Sequence, residues 1–369
     1  MGLLDHYKQY EALTEQEVNV IKRGEADERR KHALARQDPV DLSTTTWPEY
    51  PPHIIVNAIT YAARRGLHRY RDRHAGELRS ELARRHDIPA ERLVIGDGAA
   101  QLLSTAAREL LSEGDELITP WPSYGLYPLM ARKARAHAVP VSGFGAETIL
   151  RAVNERTRAV ALCNPNDPTG ELLSVAALEQ LLGALPERVV VLLDEALRDF
   201  ATAEPLDATL GLLERHPRLL IFRTFSKAWG LAGLRIGYAI GGPGAEPLLE
   251  QLAPELGVNE LAQAGALEAV RTQVGLVERR RAQIAEHRAA LTTALHDRGL
   301  EVPPSQANVL WLPAPGPHGA RDLATALERS GIVVQTGTGV GAPDRVRVTV
   351  PHRPEDVERF LRSLDAASG

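Results

Sequence analysis

Four places in this chain carry side chains whose type and setting could do chemistry, and each follows an apolar run. The run LLIFRT leads into Thr224-Phe225-Ser226-Lys227-Ala228-Trp229-Gly230, with Arg235 beyond it. A lysine held at the end of an apolar strand loses hydration, its amine pKa falls, and it can then attack a carbonyl to form a Schiff base. VVVLLD ends in Asp194-Glu195. A buried carboxylate there needs a cationic partner, which could be an arginine or a protonated cofactor nitrogen. RLVIG is followed by Asp97-Gly98-Ala99-Ala100 opening a helix, whose free backbone N–H groups and positive dipole end could hold a phosphate. RAVALC runs into Asn164-Pro165-Asn166-Asp167-Pro168-Thr169-Gly170, a rigid turn that projects polar side chains. Few amines compete with Lys227: the chain has five lysines, the others being Lys8, Lys22, Lys31 and Lys133.

These residues need a frame that brings strand ends together. Seven short apolar runs, RLVIG, ELITP, HAVPV, RAVALC, VVVLLD, LLIFRT and IGYAI, alternate with helical patterns between about Arg92 and Ile240. Runs without strict polar alternation read as strands covered on both faces, and their alternation with helices predicts a mostly parallel sheet. In such sheets ligands bind at the carboxyl ends of the strands, which is where all four candidate segments fall. Helices are expected over Ala99–Ser112, over Ser174–Ala184 with Ser174 as N-cap, and over Ala208–Arg215. Farther on, one long Arg-rich helix is predicted over Val270–Arg298. Strand-like NVLWL, IVVQT and VRVTV, with helices over Ala320–Ser330 and Pro354–Leu364, then predict a smaller α+β domain. The expected division is an N-terminal arm over 1–45, polar and helical, a large domain over 46–260 and a small domain over 261–369 completed by the N-terminal segment.

At 369 residues, 44% hydrophobic and 25% charged, the composition is that of a globular protein. A net charge of −5 argues against nucleic acid as a partner. The single cysteine, Cys163, cannot close an intramolecular disulfide, and no metal-type Cys/His spacing occurs, so no metal and a cytoplasmic location are expected. No signal-peptide pattern or long apolar run predicts contact with a membrane. GDGAAQ lacks the GxGxxG spacing of a dinucleotide site, and residues 1–40 are too short for an added winged helix.

Taken in order, GDGAAQ, PWPSYGLYP, NPNDPTG, DEAL and SKAWGLAGLRIGY resemble the fold-type I, pyridoxal-phosphate-dependent aminotransferases of class I/II, with closest similarity to the histidinol-phosphate aminotransferase group. The resemblance runs from about Leu42 to Leu364. It implies pyridoxal 5′-phosphate as cofactor and a homodimer with shared active sites. Lys227 would form the internal aldimine and shuttle a proton, and Asp194 would pair with the ring nitrogen. The phosphate would sit among Gly98, Ala99, Ala100, Thr224, Ser226 and Arg235, reached by Tyr70 from the neighbouring subunit. Tyr124 would stack on the ring, Arg347 would clamp the substrate carboxylate, and Asn308 would lie near it. The implied reaction moves the amino group of an amino acid or amino alcohol to a 2-oxo acid.

This chain departs from the family at informative places. Asp167 stands where Asn usually precedes Pro-Thr-Gly, and Leu197 stands where DEAY has tyrosine, so both usual donors to the cofactor's phenolate oxygen are altered. Thr44-Thr45-Thr46-Trp47-Pro48 replaces an early Asn-containing motif. These changes open an alternative, a non-transaminating enzyme performing elimination or replacement, carbon-carbon bond formation, decarboxylation or oxidation.

Overall fold

A computed structural model of the chain describes residues 38–70, 72–314 and 319–368, with shorter stretches between 14 and 24. The predicted polar helix over the N-terminal arm falls mostly outside the described residues; those described between 16 and 24 are helical and exposed.

Strand β1 is Val40–Asp41; β2 to β8 are Leu93–Gly96, Glu116–Trp121, His137–Ser142, Thr157–Cys163, Val190–Asp194, Leu219–Thr224 and Gly237–Gly241. The seven predicted runs form one sheet in the order β2-β8-β7-β6-β5-β3-β4. Its pairings are parallel except those of β8, which is antiparallel to both neighbours. Within the sheet side chains alternate between two apolar layers. Val160, Leu162, Val191, Leu193 and Ile221 face one; Ala159, Ala161, Leu192, Leu220 and Phe222 face the other, against Leu102, Leu103 and Ala106 of the helix Ala99–Leu110. Burial on both faces is why these strands read as continuous apolar runs. Strand β4 lies at the edge, where Pro140, which lacks an N–H, is tolerated.

Adjacent registers bring the functional strand ends to one line: Cys163 pairs with Asp194, Asp194 with Phe222, and Thr224 with Gly237. Gly237 permits this closeness, since a Cβ there would lie 2.7 Å from the backbone nitrogen of Ala99.

Farther along, β9 (Val309–Pro313), β10 (Ile332–Val333), β11 (Gln335–Thr336) and β12 (Arg345–Thr349) build the second region. An antiparallel sheet runs β11-β12-β9, while β10 pairs in parallel with β1. The run IVVQT is therefore two strands, because its halves have different partners. The single long helix is also corrected: Gln273, at φ −114° and ψ 13°, ends Glu260–Thr272 and precedes Val274–His296. The predicted helix over Ala208–Arg215 is one 3-10 segment, Ala208–Leu212. Ser174 caps Val175–Ala184 as expected, accepting from the N–H of Ala177. Among the described residues no helix is long and apolar enough to cross a membrane.

Candidate active site

Lys227 follows β7, which ends in Thr224. Its Nζ hydrogen-bonds the Thr45 hydroxyl. Burial lowers its amine pKa, opposed by the negative charge of Asp167. Desolvation favours the neutral, nucleophilic form of the amine.

The neighbouring carboxylates of β6 and its exit have separate fates. Glu195 is paired with Arg223, whose Nε donates at 2.8 Å, and accepts from the Thr209 hydroxyl at 2.8 Å. Asp194 is 3% exposed and, among the described residues, has no cationic side chain within ion-pair distance. It accepts instead from the Tyr127 hydroxyl at 2.9 Å and the Ala196 N–H at 3.0 Å. Burial pushes its carboxyl up to about 6. A buried carboxylate of this kind, facing a cavity, suits a cation supplied by a ligand, such as a protonated ring nitrogen.

That cavity, about 170 Å³, is lined by Asp194, Lys227, Tyr124, Leu197, Arg235 and the helix start at Ala99 and Ala100, among others. The helix Ala99–Leu110 has no side-chain cap, so its first N–H groups are open to an anion. Gly98, at φ 85°, admits the Arg235 guanidinium; a Cβ there would lie 2.8 Å from it. Arg235 also donates to the Ser226 hydroxyl at 3.3 Å, and Thr224 and Ser226 hydroxyls are 3.0 Å apart. Two hydroxyls, a guanidinium and a helix N-terminus at one end, with Asp194 and Lys227 also on the wall, could hold a phosphorylated, protonatable ring carrying a carbonyl. Pyridoxal 5′-phosphate has those three features.

A second cavity of about 450 Å³ shares Thr46, Tyr124, Asp167 and Lys227 with the first and reaches Arg347. Arg347, on β12, donates from Nη1 to Asp167 at 2.7 Å and from Nη2 to the Ser43 carbonyl. Tyr124 is 41% exposed and makes an edge contact with Tyr127, centroids 5.7 Å apart. Asn308 stands outside both cavities. It donates to the Thr45 carbonyl at 3.1 Å and lines a separate cavity of about 200 Å³ with Trp47 and His352. Tyr70 does not join the others in this chain and is 85% exposed.

Sequence reasoning missed Tyr127, Thr45 and Ser43. Tyr127 follows Tyr124 at a spacing that puts both on one side of a helical turn, a signal present in PSYGLYP. The three threonines ahead of Trp47 were visible only as a departure from a motif.

The family model described as aminotransferase class I and II matches residues 37–364. A histidinol-phosphate aminotransferase of Nitrosococcus oceani is 38% identical over 330 residues, covering 88% of each chain. An aromatic amino acid aminotransferase of Corynebacterium efficiens is 35% identical over 335 residues, covering 89% of this chain and 93% of that one. A crystal structure of histidinol-phosphate aminotransferase from Sinorhizobium meliloti in complex with pyridoxal-5′-phosphate superposes with a TM-score of 0.80 at 25% identity, covering 92% of this chain and 94% of the other. The chain belongs to the class I and II aminotransferases and is a pyridoxal 5′-phosphate-dependent enzyme.

Proposed function

We propose that the enzyme transfers the amino group of an amino acid or amino alcohol to a 2-oxo acid, with Lys227 as the amine that carries the cofactor and moves the proton. The observation that carries this reading is Lys227 on the same cavity wall as a buried Asp194 that, among the described residues, has no ion-pair partner. Pyridoxal 5′-phosphate supplies a carbonyl that condenses with amines and a ring that withdraws electrons. The chain's residues do the rest. Asp194, oriented by Tyr127 and the Ala196 N–H, would hold a proton at the ring nitrogen. Gly98, Ala99, Ala100, Thr224, Ser226 and Arg235 would fix the phosphate, and Tyr124 would cover the ring. Lys227, desolvated and held by Thr45, would take and return a proton. Asn308 would position the segment carrying Thr45.

The relatives are named for histidinol phosphate and for aromatic amino acids, so the amine is assigned at the level of a class. Tyr70, exposed in the single chain, supports a homodimer in which it reaches the partner's phosphate. We also infer a large domain over 46–260 and a small one over 261–369 completed by the N-terminal segment, a reading supported by the pairing of β1 with β10. Leu197, 1% exposed on the cavity wall, favours the second reading, a non-transaminating reaction, because it offers no hydroxyl to the cofactor. Incubating the loaded enzyme with amino donors tests the choice. Conversion of the cofactor to its amino form supports transamination; turnover without it supports the second reading.

A further inference from the structure

We propose that Asp167 stands in for a substrate carboxylate on Arg347, so that the amine this enzyme prefers is an amino alcohol or other primary amine without a carboxylate beside the nitrogen. The inference rests on the function proposed above and narrows its substrate.

A guanidinium takes a carboxylate through two N–H groups that face the same way. In Arg347 both terminal nitrogens already have acceptors, Asp167 Oδ1 at 2.7 Å and the Ser43 carbonyl. The remaining Nε is buried without a partner. The contact is enclosed, the side chains of Arg347 and Asp167 being only 9% and 14% exposed, so solvent screens it weakly. Asp167 is held on the rigid Asn164–Gly170 turn, where the Asn166 N–H donates to the Glu171 carbonyl and the Gly170 N–H to the Asn166 carbonyl.

The charges in reach of Asp167 are Arg347, Lys227 and Asp194, with the Tyr124 phenol and the Cys163 thiol as the other titratable groups around it. A ligand carboxylate on Arg347 would lie beside the Asp167 carboxylate, on a guanidinium whose charge is already compensated. An amide in place of Asp167 would leave that cation uncompensated and open to a carboxylate.

The outer cavity is suited to a neutral polar ligand. Ser43, Thr44, Thr45, Thr46, Gln335 and Thr336 line it, and among the described residues Lys227 and Arg347 are its only cations. A ligand hydroxyl finds partners here, whereas a second anionic group finds no free cation. A 2-oxo acid meets the same repulsion from Asp167, so its binding is weak and its half-reaction needs high concentration.

The test compares pairs of probes with the loaded enzyme, each an L-amino acid and the amino alcohol of the same skeleton, read by the change in the cofactor absorbance. Non-reacting 2-hydroxy acids and their diols, measured by calorimetry, give a second reading independent of turnover. Wild type should bind the alcohol of each pair at least tenfold more tightly. Asp167→Asn should raise carboxylate affinity relative to that of the paired alcohol at least tenfold, a ratio that moves even if cofactor binding shifts. Equal affinities within pairs in wild type, or an unchanged ratio in Asp167→Asn, overturn this inference while leaving the aminotransferase reading intact. A protein whose Lys227 carries no cofactor overturns both.

Discussion

Replacing Asp194 by asparagine should stabilise the cofactor-free protein while crippling its hold on the cofactor. The Asp194 carboxyl is raised from its ordinary 3.8 to about 6, chiefly by burial. In the unfolded chain it ionises near 3.8; in the folded protein it holds its proton longer, so stability falls as pH rises between the two values. The penalty is absent at low pH and fully present above about pH 6, where it amounts to roughly 3 kcal/mol. Asparagine is never charged. It can keep the Ala196 N–H on its oxygen and donate to the Tyr127 hydroxyl, losing only the extra strength of a charged acceptor, about 1 kcal/mol. The net expectation is that the variant is more stable than wild type by about 2 kcal/mol at pH 8, with the advantage fading toward pH 4. Urea unfolding of both cofactor-free proteins, followed by circular dichroism across that range, measures the difference. Cofactor affinity should fall in the same variant, since a protonated ring nitrogen then lacks its counter-charge. A variant no more stable than wild type at pH 8, or a difference that does not change with pH, would refute the claim that Asp194 sits buried without a cation until the ligand arrives.

Arg235→Ala should weaken pyridoxal phosphate binding at least tenfold, roughly 1.4 kcal/mol, while pyridoxal without its phosphate is affected far less; an equal loss for both would move the phosphate elsewhere. Mixing Tyr70→Phe with Lys227→Ala subunits should restore sites whose Tyr70 and Lys227 come from different chains, and sedimentation should find a dimer; a monomer with full cofactor affinity would contradict the shared site. Phe222→Ala, at a fully buried position between sheet and helix, should cost about 3–5 kcal/mol, read as a lower urea midpoint with an unchanged slope.

Much of this arrangement was legible because the same physics writes the pattern and builds the fold. Strands covered on both faces must be apolar throughout, so all seven runs could be read, and the register of β5, β6 and β7 then lines up Cys163, Asp194 and Phe222, two residues before Thr224. Lys227, Arg235, Gly98, Ala99 and Ala100, which the fold brings to one cavity or its edge, stood out in the sequence because each is tied to a strand end or a helix start. Contacts made by chain closure were not legible. The pair Asp167–Arg347 joins residues 180 positions apart, and the Thr45 hydroxyl meets Lys227 across 182. Local pattern contains neither separation. IVVQT looked like one strand because apolar character says nothing about a change of partner, and the break at Gln273 carries no proline signal. Asn308 could be placed by motif, but its donation to the Thr45 carbonyl, which makes it a brace for the segment behind Lys227, depends on tertiary packing.

The central claim is that Lys227 carries the cofactor, and borohydride reduction of the loaded enzyme followed by peptide mapping tests it most directly. Reduction fixes the pyridoxyl group on whichever amine held it. The account predicts one labelled peptide, containing Thr224-Phe225-Ser226-Lys227. A label on Lys133, or no label on a protein that has taken up the cofactor, would contradict it.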